Sequence, residues 1–280
     1  LTKDEYLYDN EYSNHMVSNI YSEQLELNYR WVTEKIDLSA GGRVMTTQTY
    51  SQVLYGDYTR DTLYNKFNWS PNLRFRYKFG QKEFARINYR GRISDPTIQQ
   101  MEPVRNNSDA MNETVGNLGL NPAFRHNIFA MYSRFNQEKF SSIMTGLRAS
   151  LTQDALTNNT IYDKTGKRYN QTVNADMIPW NIGADFMSNT PFCNKMFQLH
   201  TRTAVSFNQR IAYILREQEA EDVAQMIATN SLLLGEESKT GNLRASNDIT
   251  LRFTHKIVDI GIRNSNVYSM TVNSLNKNNV

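Results

Sequence analysis

The sequence predicts an all-β protein, an antiparallel transmembrane β-barrel segment of about ten long strands with short periplasmic turns and long external loops. Three observations predict it. Long stretches alternate strictly between apolar and polar residues, connections alternate between short and long, and aromatic residues collect beside the short connections. The clearest stretch runs from Asn68 to Asn136. In Asn72–Phe79, the residues Leu73, Phe75, Tyr77 and Phe79 point one way, and Asn72, Arg74, Arg76 and Lys78 the other. After a polar turn at Gly80–Glu83, Ala85, Ile87, Tyr89, Gly91 and Ile93 share one face, while Arg86, Asn88, Arg90 and Arg92 share the opposite one. A wall with lipid on one side and water on the other needs this division.

Composition is compatible with that reading. The chain has 280 residues, 39% of them hydrophobic, with a mean hydropathy of -0.62. No run of about 18 apolar residues occurs, so a transmembrane helix is not expected. A barrel commits only alternate residues to lipid and therefore has the hydropathy of a soluble protein. The net charge of +3 is small and the arginines are spread along strands, which argues against nucleic acid as a partner. The single cysteine, Cys193, excludes an intrachain disulfide framework. The chain starts with Leu, no signal segment follows, and its last residues are a polar Asn-rich stretch, so we expect residues 1–280 to be one partial barrel domain without plug or signal peptide.

Taken in order, residues 1–13 read as the end of a loop. A first strand runs from about His15 to Trp31, with Tyr21, Leu25, Leu27, Tyr29 and Trp31 in phase. After Thr33–Lys35 a second continues to about Leu54, with Ile36, Leu38, Ala40, Gly42 and Val44 in phase, far longer than a usual soluble strand. Residues 55–67 are expected as a polar, Tyr-rich loop, followed by the hairpin already described and a long loop from Pro96 to Pro122. Strands five and six fall near Ala123–Phe135 and Phe140–Leu151, the latter continuing toward Tyr162 and a turn at Asp163–Lys167. Strand seven is expected from Tyr169 to Met187, with a bulge or weak pairing at Pro179. Strand eight spans Met196–Leu215. Residues 217–240 form an external loop with a short helix, and strands nine and ten follow at Leu243–Phe253 and from Val258. The short connections lie near 33, 80, 137, 192 and 255. Trp31, Phe79, Phe84, Phe135, Phe140, Phe192, Phe197 and Phe253 stand beside them as an approximate interface girdle, from which Phe84 and Phe140 depart in parity. A soluble antiparallel sheet also alternates. Strand length, loop rhythm and arginine-lined faces favour the barrel.

The segment from Tyr89 to Pro103, then Asn107-Ser108-Asp109 and Gly116-Asn-Leu-Gly-Leu-Asn-Pro-Ala-Phe-Arg-His-Asn127, resembles the outer membrane β-barrel family of the Bacteroidota, which is similar to the barrels of TonB-dependent receptors. Leu118 occupies the place of the family's Pro, Ala123 that of its usual Glu and Arg125 that of a common Ser, so no role is carried over for the Glu. The resemblance implies the middle portion of a larger barrel in the cell outer membrane. It also implies outer membrane lipid, a plug domain of the same full-length chain and the TonB energy-transducing complex as partners, and import of a solute. The alternatives are a non-transporting outer membrane scaffold or surface-binding protein, and a soluble β-sandwich that binds glycans.

Candidate chemistry is sparse. His15, His126, His200 and His255 are scattered, without the convergent spacing of a metal site, and are expected as solvated or lumen residues. Glu217, Glu219, Glu221 and Asp222 form a charge run of the kind that is usually just solvated. No nucleophile motif or phosphate-cradling glycine loop occurs, so we expect no enzyme, no cofactor and no metal. The residues singled out are Arg74, Arg76, Arg86, Arg90, Arg92, Arg202, Arg244 and Arg252, expected to line the lumen as a hydrated, ion-paired wall, or else to meet plug carboxylates or an anionic solute.

Overall fold

A computed structural model describes residues 14–55, 58–101, 106–109, 111–218, 222–223, 225–226 and 233–275. The predicted loop at 1–13, most of the predicted helical segment after Gln218, Glu219 and Glu221 of the acidic run, and the side chains of His15 and Glu217 lie outside the described residues. Ten strands make one continuous antiparallel wall: β1 (Asn14–Val32), β2 (Ile36–Tyr55), β3 (Tyr58–Gly80), β4 (Glu83–Ser94), then β7 (Ala123–Asn136), β8 (Ser141–Gln153), β11 (Trp180–Phe192), β12 (Phe197–Gln218), β13 (Glu236–His255) and β14 (Val258–Asn273). A four-residue helix, α1 (Ile98–Met101), and the short strands β5 (Asn106–Asp109), β6 (Asn112–Val115), β9 (Leu156–Asp163) and β10 (Arg168–Asn174) belong to the long connections. Among the described residues β1 pairs only with β2 and β14 only with β13, so the sheet is open.

Register carries the alternation across the whole wall. One hydrogen-bonded row passes through Trp31, Leu38, Phe75, Ile87, Ala130, Leu147, Ala184, Val205, Ala245 and Tyr268, apolar on every strand. The next row along the strands, on the opposite face, runs Arg30, Ser39, Arg74, Asn88, Phe129, Arg148, Gly183, Ser206, Arg244 and Ser269. Because side chains alternate with period two, a one-residue slip in any pair would mix the rows. The apolar face is bare. Leu25 and Leu27 are 75% and 78% exposed, and Ile262 and Leu147 are also exposed. An apolar surface of this extent, built from every strand, is a surface made for lipid rather than water. No helix in the described residues is long and apolar enough to cross a membrane.

The predicted short turns all occur, at 33–35, 81–82, 137–140, 193–196 and 256–257. The other end of the wall differs from expectation in four places. Residues 58–67 are strand, not loop: β2 and β3 stay paired up to Tyr55↔Tyr58, so this connection is tight and breaks the short–long rhythm. Alternation persists there in Leu63 and Phe67, but the Tyr, Asn and Asp residues mask it. Strand seven is two strands, because Ala175–Pro179 separate β10 from β11. Pro179 has no N–H for a ladder, and its carbonyl accepts from the Thr152 N–H at 3.1 Å. Strand six does not run on as one strand. β8 ends at Gln153, and β9 leaves it to lie parallel to β12 at Tyr213–Gln218. Strand nine begins earlier than predicted, at Glu236, where the sequence reading still had loop.

The breaks in strands six and seven share a setting. β4, β7, β8 and β11 are only 12–14 residues long, against 19–23 in β1, β2, β3, β12 and β13. Above the short strands the wall is continued by a second leaf. β9 pairs with the top of β12, β10 with β9, β6 in parallel with β10, and β5 with β6. The buried apolar clusters sit in this leaf and against the top of β12, not in the membrane part of the wall. Val115, Ile161, Tyr169 and Val223 form one cluster, and Ala155, Ala175, Ile211 and Tyr213 another.

Candidate functional site: an arginine-bearing face and a folded outer leaf

All eight predicted arginines lie on the polar face of the wall. Register places Arg76 directly opposite Arg86, Arg74 opposite Asn88 and Arg90 opposite Asn72. Arg92 stands opposite Arg125 of β7, an arginine inside the predicted strand five that was not among those singled out. Arg202 lies opposite Met187 and Asn247's neighbour Asp248, Arg244 opposite Ser206 and Arg252 opposite Gln198. They do not form one cluster. Arg43, Arg74, Arg90 and Arg92 line a groove of about 570 Å³ with Glu26, Asn72 and Asn88. Arg76 and Arg86 lie one step nearer the short turns, each over a ring: Arg76 is 4.0 Å from the centroid of Phe84 and Arg86 is 5.7 Å from that of Phe129. Arg202, Arg244 and Arg252 are on the far flank.

The two flanks differ in charge balance. On the far one, Arg148 donates to Asp185 at 2.8 Å, Arg263 to Asp248 at 2.8 Å, and Arg252 forms an ion pair with Asp259. Gly146 gives Asp185 its room, since a Cβ there would stand 2.9 Å from the carboxylate. On the near flank, Arg30 pairs with Asp37 at 2.9 Å and Arg43 with Glu26 at 3.2 Å, which occupies both carboxylates. Arg74, Arg90 and Arg92 have no ion pair among the described residues, nor have Arg202 and Arg244 on the far flank, but only the first three share a groove.

The apolar face carries two aromatic rows. The lower one, beside the short turns, contains Trp31, Phe79, Phe192, Phe197 and Phe253 as predicted, with ring contacts of 5.3 Å for Phe192–Phe197 and 4.9 Å for Phe197–Phe253. Tyr77 and Tyr132 join it, and the Tyr132 hydroxyl donates to Glu83 at 2.6 Å. Phe84 lies on the polar face under Arg76, as its parity indicated, Phe135 is corrected to that face, under Lys82, and Phe140 sits in a turn at φ 51 with the Lys195 ammonium 3.5 Å from its centroid. The upper row was not anticipated. Trp69 stacks on Phe124 at 5.2 Å, Phe124 meets His126 at 4.6 Å, and Trp180 meets Phe207 at 5.0 Å. His126 is therefore neither solvated nor on the polar face, and its Nδ1 shares a hydrogen bond of 3.0 Å with the Tyr89 hydroxyl. From Phe197 to Phe207 is ten residues, which at a rise of ~3.3 Å and a tilt of ~40° is about 25 Å, the height of an outer membrane apolar band.

Everything beyond the upper row is outside the bilayer. There the leaf holds a buried ion pair, with Lys167 donating to Glu113 at 3.0 Å and the Glu113 side chain only 2% exposed. The hydrogen bond to Glu113 raises the Lys167 pKa above its ordinary value. The predicted turn at 163–167 is present, with Gly166 at φ 88. Burial works to raise the Asp163 carboxyl, but the Thr165 hydroxyl at 2.6 Å and the N–H groups of Lys167, Thr165 and Gly166 outweigh it and hold it below the usual carboxylate range. Asn159, also buried, accepts from the Gly235 N–H at 3.0 Å and donates to the Leu233 carbonyl at 2.9 Å, tying the leaf to the start of β13.

Two girdles, a bare apolar face and a polar face on one ten-stranded wall are what an outer membrane barrel requires, and the comparison with known families agrees. The model of the outer membrane protein beta-barrel family matches residues 1–273. The chain belongs to that family. Its place is accordingly the cell outer membrane. No curated protein matches the chain. Among the described residues no group of three or more His, Cys, Asp or Glu side chains gathers to hold a metal. Asp222, the described residue of the acidic run, is exposed, as are His200, His255 and Cys193.

Proposed function

We propose that this barrel chain is part of the wall of a TonB-dependent receptor-like importer, with a plug domain of the full-length chain in the lumen and the TonB energy-transducing complex driving uptake. The polar face, with the eight arginines singled out from the sequence among others, lines the lumen, and the leaf above the membrane receives the solute. The chain supplies wall and vestibule and no chemistry of its own. One observation carries this reading. Ten strands leave both edges of the wall unpaired among the described residues, and a wall in lipid must close. A ring completed to about twice this strand number encloses a lumen wide enough to hold a plug, whereas a barrel of about eight strands fills itself with side chains.

The test is depletion of solutes from a complex medium by cells with and without the full-length protein, with the proton gradient intact or collapsed. Depletion that requires both the protein and the gradient supports import. Depletion indifferent to the gradient, or none, overturns it and leaves a non-transporting scaffold or surface-binding protein.

A further inference from the structure

We infer that the groove bounded by Arg43, Arg74, Arg90 and Arg92 is a binding site for a small solute bearing two or more carboxylate or phosphate groups; this rests on the lumen assignment above. Three observations converge on it. The first is the charge imbalance. On the far flank Arg148, Arg252 and Arg263 each have an aspartate and Arg202 stands in register with Asp248, leaving Arg244 opposite a serine. On the near flank the carboxylates of Asp37 and Glu26 go to Arg30 and Arg43, and Arg74, Arg90 and Arg92, none of them ion-paired among the described residues, line one groove together.

The second is the pairing of like charges. Arg76 stands directly opposite Arg86, and Arg92 directly opposite Arg125. Like charges in directly opposed positions destabilise a sheet. A polyanion held at Arg92 offsets that cost for the Arg92–Arg125 pair, and guanidinium groups match carboxylate and phosphate oxygens two bonds at a time. The third is the shape and the lining. The groove's volume, about 570 Å³, lies within the range of small-molecule sites, and Asn72 and Asn88 stand in register with Arg90 and Arg74 to add neutral hydrogen bonds. Beside it, the Nε–H donors of Arg76 and Arg86 are buried without an acceptor among the described residues.

The proposal is tested on the full-length protein purified in detergent, by calorimetric titration with citrate, with inorganic pyrophosphate and with neutral glycerol as control. Citrate, pyrophosphate or both should bind, weakening as salt rises, and glycerol should not. Arg90→Gln with Arg92→Gln should weaken anion binding about tenfold or more, Arg74→Gln alone should weaken it less, and Arg244→Gln on the far flank should leave it unchanged. Retained heat-modifiable migration of each variant on gels shows that its barrel is intact. The relative strength of the two anions tells a carboxylate ligand from a phosphate one. Absence of binding to either anion, as when acidic residues of the protein's own plug fill the groove, overturns the inference, and so does equal binding by the double variant. Anion binding without gradient-driven uptake would retain this site and remove the importer, while uptake without anion binding would do the reverse.

Discussion

At the scale of single residues, three positions make sharp predictions. Gly91 lies on the apolar face, where a Cβ would come within 2.6 Å of Phe124 and 2.9 Å of Pro71. Gly91→Val must displace the upper aromatic row and should cost about 1–3 kcal/mol, measured by urea unfolding in lipid vesicles. In the outer leaf, Lys167→Met removes the ion pair of a buried carboxylate. Since Lys167 is itself partly exposed, we expect a loss of about 1–3 kcal/mol, below the value for a fully buried pair, seen as faster amide exchange in residues 112–115 and 167–171. Asp163 sets the acid behaviour. Its folded-state pKa is depressed, so its contribution is fully present above the unfolded carboxylate pKa and is lost as pH falls through the folded one. Amide protection in β9 and β10 should therefore fall on acidification below the usual carboxylate range. Asp163→Asn should show weaker protection at neutral pH and little further loss in acid. None of these roles was legible in the sequence beyond the turn at 163–167. The burial of Glu113 and the crowding at Gly91 depend on partners 54 and 33 residues away in the chain, and local pattern contains no information about them.

At the scale of elements, the membrane strands were legible because lipid and water impose period two on every strand of the wall. The row from Trp31 to Tyr268 is that pattern made visible. Ile87 sits in it, about halfway between the girdles. Ile87→Arg should cost about 2–4 kcal/mol in bilayer stability and block assembly, judged by heat-modifiable migration, while Asn88→Arg on the opposite face should assemble normally. Above the upper row the reading failed at residues 55–67 and at the split of β10 from β11. Outside the bilayer both faces of a strand meet water or protein, so the apolar signal is diluted. The leaf is also held by long-range pairs such as Tyr213↔Asn159, and by the Tyr213 hydroxyl accepting from the Asp176 N–H at 2.9 Å. The arginines of β3, β4, β12 and β13 were found by parity alone. What parity could not supply was their inequality, because it assigns a face and not a register: the pairing of Arg148 with Asp185 spans 37 residues, and even Arg252–Asp259 depends on the exact alignment of its hairpin.

At the scale of the whole molecule, the two girdles fix where the protein sits. Nitroxide labels on Leu147 and Ala184 should show the greatest accessibility to oxygen, and labels at Phe79, Phe253, Phe124 and Trp180 should approach interfacial values in lipid vesicles. Equal oxygen exposure along the whole of β11 would contradict this placement. The girdles also divide the protein into two bodies with different physics. The membrane wall is held by ladder hydrogen bonds in a medium that offers no alternative partners. The outer leaf is a water-soluble sheet with small cores of its own.

That division has a mechanical consequence. The leaf's ladder to the wall is the short parallel pairing of β9 with β12, whose register slips between Leu215 and Gln218, seconded by the hydrogen bonds of Asn159 at the start of β13. Under tension applied from the cell exterior, this seam would open like a zip, a few hydrogen bonds at a time, long before the lateral shear strength of the ten-stranded wall was approached. β12 is then the beam of the structure: it starts at the inner girdle, crosses the bilayer and carries the leaf's ladder on its outer end, braced along its length by β13.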